Sequence, residues 1–168
     1  MDQEPQRFSE DGLEQHIHVN HIAPALLSLL LLPSLLRAPS ARIVNVNSVL
    51  MFLKVLASKL LDQKKASIQC ITVHPGAVGT KIASCERSKK HLSFVFSPAQ
   101  GARSVLFCAT SPDVGENMVN GLRYYSCDCK RSKVSPKALD NEACLDVWEK
   151  TMDVLELNED ELIRVIIN

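Results

Sequence analysis

The sequence is poor in aromatic residues and has no excess of either charge. Aromatic residues make up 5% of the 168 positions, with two tyrosines and one tryptophan, and 19 basic residues balance 19 acidic ones. A neutral chain lacks the electrostatic field that draws proteins to nucleic acid or to anionic membranes. We therefore expect neither nucleic acid nor an anionic membrane surface as the main partner.

An apolar secretory leader is also lacking, because the first fifteen residues, MDQEPQRFSEDGLEQ, are polar and acidic. We therefore expect an intracellular protein, cytoplasmic or peripheral on an organelle membrane, whose cysteines are free thiols. The six cysteines lie at positions 70, 85, 108, 127, 129 and 144. Cys127-x-Cys129 has no second ligand pair at zinc-finger spacing, so no metal site is expected.

Apolar residues are plentiful, at 46% of the chain, which is enough for one folded domain with a core. The longest apolar run, Ile22–Leu36, is shorter than the ~20 residues that a membrane span needs, and Pro24 and Pro33 interrupt it. The run predicts a buried helix, with contact at a membrane interface as the alternative.

The order of apolar runs and turn residues predicts a βαβ unit in the middle of the chain. Strands are predicted at Ile43–Val46 and Ile68–Val73, and a helix at Val49–Leu61 connects them. The other predicted elements are a helix from Ser9–Gly12 to about Leu36, a loop or short helix at Thr80–Leu92, a helix at Ala99–Thr110 opened by Ser97-Pro98, a strand at Leu122–Tyr125, a helix within Pro136–Leu155 and a terminal helix capped by Asn158. As domains, these predict a disordered tail (1–8), a partial α/β domain (9–157) and a C-terminal helix (158–168).

Ser48 follows the first predicted strand, at a position where α/β enzymes place chemistry. The segment 42–60 reads RIVNVNSVLMFLKVLASKL, so a helical run follows the serine with no room for a loop. A hydroxyl needs a second titratable group in reach before it can move protons. No tyrosine, histidine or carboxylate follows Ser48 until Asp62.

Several segments, in order along the chain, resemble the C-terminal half of a short-chain dehydrogenase/reductase. The resemblance is to the retinol-dehydrogenase-like and WW-domain-oxidoreductase-like branch. The matching segments are DGLE and VNH within 11–21, RIVNVNS at 42–48, HPGAVGT at 74–80, SPAQGA at 97–102, GLRYYS at 121–126, VSPKA at 134–138 and LDVW at 145–148. The resemblance implies an α/β fold, here a partial Rossmann-type parallel sheet with flanking helices.

The same resemblance implies NAD(P)-dependent redox chemistry on an alcohol or carbonyl. By motif, Asn20 matches the family's catalytic asparagine, which holds a water of the proton relay, and Ser48 matches the serine that orients the substrate. Pro75, Gly76, Val78 and Thr80 match positions that cradle the nicotinamide end of NAD or NADP. The glycine motif that binds the pyrophosphate, Thr-Gly-x-x-x-Gly-x-Gly, does not occur in the chain.

The family's Tyr-x-x-x-Lys pair, which supplies the acid/base, is also absent. The segment after Ser48 matches the later part of the helix that the pair opens in relatives. An alternative alignment on Ser58-Lys59-Leu60 puts Val55 in place of the tyrosine. Either alignment leaves no general acid, so we expect a catalytically inactive chain.

Two alternatives remain open for such a chain. The first is that the chain is a non-enzymatic truncated isoform, which associates with a full-length relative or with itself through helices 12–36 and 49–61. The second is that the sequence comes from an incomplete gene model. Tyr124, Tyr125 and Trp148 are predicted to be packing residues. His16, His18 and His21 are predicted to be ordinary surface or partly buried histidines.

Overall fold

The structure, a computed structural model, describes residues 5–46, 55–56, 68–79, 95–115, 122–134 and 136–167. The predictions for Ser48, Thr80, the segment Thr80–Leu92 and most of the helix 49–61 lie outside these residues.

A three-stranded parallel sheet forms the centre of the fold. Its strands are β1 (Ala41–Val46), β2 (Ile68–Val73) and β3 (Leu122–Tyr125), in the spatial order β1-β2-β3. β2 is buried along most of its length, as expected for an apolar central strand that is covered on both faces. The prediction of a partial Rossmann-type parallel sheet is confirmed.

Helices flank this sheet, and four of those described begin at a side-chain cap. The helices are α1 (Gln15–Ile17), a π-helix (His18–Ile22), α2 (Ala23–Arg37), α3 (Pro98–Thr110), α4 (Pro136–Leu139), α5 (Asn141–Val154) and α6 (Glu159–Ile167), with a 3-10 helix at Pro112–Gly115. Ser97 and Gln100 form a capping box at the start of α3, and Asn158 Oδ1 accepts a hydrogen bond from the Asp160 amide, both as predicted.

One predicted helix boundary is wrong, and one predicted helix is preceded by a second, short helix. Residues Ser9–Gly12 form a turn closed by a 3.0 Å hydrogen bond from the Gly12 amide, and the helix begins later because the Glu14 carboxylate caps it. The predicted helix within Pro136–Leu155 is confirmed as α5, and the short helix α4 precedes it as a separate element, because the Asp140 side chain accepts from the amides of Glu142 and Ala143 and so starts a new helix.

Two apolar clusters lie on opposite faces of the sheet. Alternate residues of β2 feed them: Cys70 points into a cluster with α2, α5 and α6, and Ile71 points into a cluster with α3 and β3. Trp148 is 1% exposed in the first cluster, which confirms its prediction as a core residue. The parallel sheet is therefore covered on both sides by helices.

α2 is buried on one face only, so the prediction of a buried helix holds for half of its surface. Ala25, Leu29 and Leu32 are buried against the sheet, whereas Leu27 and Leu30 are 57% and 67% exposed. By length and composition, the helical stretch Gln15–Arg37 is long and apolar enough to cross a membrane. Such a helix also occurs in the cores of soluble proteins, so this finding alone does not place it in a bilayer.

Candidate functional site

The carboxyl ends of the parallel strands bring the loop after β2 next to the turn after β3. The loop is His74–Gly79, and the His74 amide donates a 2.9 Å hydrogen bond to the Tyr125 carbonyl at the end of β3. This edge of an α/β sheet is where ligands bind in such folds. Three of the predicted cofactor residues, Pro75, Gly76 and Val78, lie on this one loop and are half-buried.

The histidine of the loop fixes its turn. The Gly76 amide donates to His74 Nδ1 at 2.8 Å, so the ring nitrogen acts as a local cap for the backbone. Gly76 has φ +84°, and a Cβ added there would lie 2.7 Å from Phe96 Cε2 and 3.1 Å from the Cys127 Cβ. Only glycine fits this position, because both the backbone conformation and the space exclude a side chain.

Val78 is held between the loop and the start of α3. The Gly79 amide donates to the Phe96 carbonyl at 2.9 Å, and the Phe96 amide donates to the Ala77 carbonyl at 2.8 Å. A Cβ added at Gly101 would come within 2.5 Å of Val78 Cγ2, so the glycine of SPAQGA lets α3 approach the loop. The two sequence motifs therefore form one packed unit.

Asn20 lies elsewhere, in the π-helix that follows α1. Its side chain is exposed and helps to line a cleft of about 230 Å³ whose other lining residues are Pro5, Arg7, Gln15, His16 and Val19. None of those lining residues belongs to the loop 74–79, so this cleft does not join Asn20 to the cofactor loop. The π-helix itself was not predicted, although such bulges are frequent at functional sites.

The two tyrosines of the chain are Tyr124 and Tyr125, and Tyr125 does not have the environment of an acid/base tyrosine. Both lie on β3, and Tyr125 is 4% exposed with its ring edge-on to Phe107, at 5.8 Å between the ring centroids. Burial raises the pKa of Tyr125, whereas an acid/base tyrosine needs a lowered pKa. The prediction that Tyr125 is a packing residue is confirmed.

Val55 is part of the core, and the alternative alignment would place the missing tyrosine there. The side chains of Val55 and Leu56 are 8% and 0% exposed, and they pack in the cluster that contains Leu32 and Trp148. β1 ends at Val46, so eight residues join the strand to this buried position. A residue at Val55 therefore faces the core and not the carboxyl edge of the sheet.

Histidines and cysteines do not form a metal-binding group within the described ranges, where no cluster of three or more metal-ligating residues occurs. His16 Nδ1 lies 2.7 Å from Glu14 Oε1, and His18 Nε2 lies 3.9 Å from Asp11 Oδ2. Burial raises the pKa of the Cys70 thiol to about 12 and that of Cys108 to about 11, which keeps both thiols protonated and unreactive.

Curated relatives match nearly all of this chain. The dehydrogenase/reductase SDR family member FEY of Arabidopsis thaliana is 35% identical over 97% of the chain. Human retinol dehydrogenase 12 is 28% identical over 90% of the chain, and mouse retinol dehydrogenase 11 is 29% identical over 93%. The chain spans about half the length of these relatives, at 55%, 57% and 58%. No protein-family model matches it.

The alignments also show that residues are missing from within the matched region. The alignment with FEY extends over 210 positions, and 97% of the 168 residues of this chain is about 163, which leaves about 47 positions without a residue of this chain. The alignment with human retinol dehydrogenase 12 extends over 187 positions. The matched 90% of this chain is about 151 residues, so about 36 aligned positions have no residue of this chain. The relatives therefore carry an interior segment, or segments, that this chain lacks.

Proposed function

Because this chain belongs to the short-chain dehydrogenase/reductase family, we propose that it is an oxidoreductase-family polypeptide that is catalytically inactive in the form of these 168 residues. The reaction typical of the family is NAD(P)-dependent oxidation of an alcohol or reduction of a carbonyl. The observation that carries the proposal is the eight-residue connection between β1 and the buried Val55. In relatives, the interior residues that this chain lacks offer a place for the acid/base pair.

The loss of the acid/base removes the proton that a carbonyl oxygen must receive during reduction. Ser48 has a hydroxyl to orient a substrate, but an oriented carbonyl still needs a donor of suitable pKa within hydrogen-bond reach. The phenol of Tyr125 is buried and its pKa is raised, so it does not substitute for the missing group. Loss of a general acid alone typically costs about 10²- to 10⁴-fold in rate.

The family uses NAD or NADP in general, and the described residues fit this cofactor only in part. The Pro75–Val78 turn lies at the correct edge of the sheet to contact a nicotinamide ring. The space above Gly76 is filled by Phe96 and Cys127 of the chain itself, which leaves no cradle at that glycine. The chain also lacks the glycine pattern for the pyrophosphate. The fit supports weak or absent cofactor binding by these 168 residues.

The test is reduction of retinal, and of a small aldehyde panel, by the purified chain with NADH or NADPH. We expect no consumption of reduced nicotinamide above the rate without protein, and no quenching or enhancement of its fluorescence on titration. Full-length human retinol dehydrogenase 12 serves as the positive control. Turnover that scales with the concentration of the purified chain overturns the proposal.

A second role is favoured by the exposed face of α2: association with a full-length relative or with a second copy. Leu27, Leu30 and Leu31 are 57%, 67% and 48% exposed and lie within five residues on one helix. Contiguous exposed apolar patches are a feature of surfaces that bind proteins or membranes. We further propose that the protein lies in the cytoplasm or peripherally on an organelle membrane, and the apolar face supports the second of these locations.

This second role is tested by co-purification of the tagged chain with a full-length relative. Leu30→Glu should abolish capture, whereas Leu106→Glu, on α3, changes a leucine that is equally exposed at 61% and should leave capture intact. Equal loss with both variants, or no capture by the unchanged chain, counts against association through α2.

Sequencing of transcripts across the codons for 48–50 separates both roles from an incomplete gene model, because an intact gene product retains the interior segment there.

A further inference from the structure

The two outer edges of the sheet are treated differently by the fold. The outer edge of β3 is covered by the chain's own return segment, through an antiparallel bridge between Tyr125 and Arg131 and a 2.9 Å hydrogen bond from the Ser132 amide to the Tyr124 carbonyl. Along β1, no strand among the described residues pairs with the outer edge. β1 therefore presents the open edge of the part of the sheet that the structure describes.

The sequence of β1 leaves the backbone at this edge accessible, because it contains no proline. Natural edge strands are protected by prolines, bulges or charged side chains, which project into solvent or point inward. Arg42 is the only charged residue of β1, and it is turned inward: its Nε donates to Gln69 Oε1 and its Nη1 to the Cys108 carbonyl, both at 3.1 Å. The charge is thus bound by β2 and α3, and it does not project into the path of a strand added to the edge.

Space for another strand lies beside β1. A groove of about 420 Å³ runs between the strand and the last turn of α3. Its lining residues are Ser40, Ala41, Arg42, Val44, Ala109 and Thr110. A strand added to β1 would place alternate side chains over this groove while its backbone pairs with the edge, which is the geometry of strand addition.

We propose that this edge pairs with the same edge of a second copy of the chain, with the two β1 strands antiparallel about a two-fold axis at Ile43 or Val44. If the two-fold axis is perpendicular to the sheet, the face covered by α3 in one copy continues into the same face of the other copy. Residues paired across the axis therefore lie on the same side of the combined sheet. Arg42 then faces Val44 or Val46 of the copy and never the other Arg42. The like charges stay apart, and the central pairs are between β-branched residues, which favour cross-strand contact.

Sedimentation of the purified chain tests this proposal with matched edge variants. The unchanged chain should form a dimer, Val44→Lys should raise its dissociation constant by about tenfold or more, and Tyr124→Lys should leave it unchanged. Both side chains are half-buried and lie on outer strands, but only Val44 lies on the open one. A folded chain that stays monomeric, or a dimer that Val44→Lys does not weaken, overturns the proposal.

A cysteine scan gives a readout that does not depend on stability. Under mild oxidation, a cysteine at the two-fold axis meets its own copy, so Ile43→Cys or Val44→Cys should give a disulfide-linked dimer while its neighbours do not. The unchanged chain, with its six cysteines, sets the baseline. Cross-linking at every position of β1 indicates parallel pairing, and cross-linking at none indicates another surface, so either result refutes the proposal. These dimerisation tests are independent of the assay for consumption of NADH or NADPH, because a catalytically inactive chain and an active one can both dimerise.

Discussion

His21 Nε2 lies 2.8 Å from Thr151 Oγ1 and joins the π-helix to α5 across 130 residues of sequence. The Thr151 hydroxyl donates its own proton to the Val147 carbonyl at 2.6 Å, so its oxygen accepts from His21. This assigns a proton to Nε2 of the imidazole. The helix turn that carries Asn20 is thereby fastened to the C-terminal part of the fold.

Stability should fall on the acid side because of His21. Burial lowers the pKa of His21 in the folded chain. Below the pKa of histidine in the unfolded chain, about 6.5, the unfolded chain therefore binds a proton that the folded chain does not bind. The stabilisation is present above that pH and is lost as the pH falls. Urea unfolding between about pH 7.5 and pH 5 should show this loss, and His21→Gln, which keeps a donor but does not titrate, should make it shallower.

The exposed His16 is the control for this prediction. Its side chain is 83% exposed, so His16→Gln should leave the acid-side loss of stability in place. If the two glutamine variants show the same dependence on pH, the buried histidine is not its source.

Gly76 should tolerate alanine much less well than Gly12. Both glycines have positive φ, at +84° and +75°, but a Cβ at Gly12 meets nothing within 4 Å, whereas one at Gly76 meets Phe96 and Cys127. Gly12→Ala pays only the left-handed backbone strain of about 1–2 kcal/mol. Gly76→Ala adds overpacking of about 1–3 kcal/mol. If Gly12→Ala and Gly76→Ala change the free energy of unfolding equally, the residues around Gly76 have room for a methyl group.

Trp148 should be the most sensitive position of α5. Trp148→Ala leaves a large cavity in the cluster of α2, α5 and α6 and should cost about 3–5 kcal/mol. Leu145→Ala, on the same helix but 46% exposed, should cost under about 1 kcal/mol. Because total stability is about 5–15 kcal/mol, Trp148→Phe provides a milder variant that should remain folded and rank between the two.

The strands were predictable because their signals are local. β2 and β3 begin and end as predicted, since short apolar runs bounded by turn residues specify buried strands. The start of the first helix was wrong because Ser9 and Glu14 are both able to cap, and only the packed structure decides between them. The π-helix has no sequence signature of its own.

In the candidate site, too, the features set by a local sequence motif were predictable, and those that depend on tertiary contacts were not. The motif at 74–78 predicts one loop, and the structure keeps Pro75, Gly76 and Val78 together on it. The cleft around Asn20 depends on where the N-terminal residues fold, and the pair His21–Thr151 joins distant segments, so neither follows from a local pattern. Which face of α2 is buried depends on the sheet and α6, and the apolar sequence alone is nearly uniform around the helix.

Alkaline unfolding should report the buried thiols. The folded pKa of Cys70 is about 12 and that of Cys108 about 11, both above the ordinary 9.0. Above pH 9 the unfolded chain loses thiol protons that the folded chain retains, so stability falls as the pH rises, by about 1.4 kcal/mol per pH unit for each thiol. Between the ordinary value and about pH 11, Cys70→Ala should make the slope of unfolding free energy against pH clearly shallower, with the remainder due to Cys108 and, above about pH 10, to Tyr125. Cys127→Ala, at a half-exposed thiol, should leave it unchanged. The slope is diagnostic because the cavity left by Cys70→Ala shifts stability equally at every pH, so an unaltered slope would show that the Cys70 thiolate is tolerated in the fold.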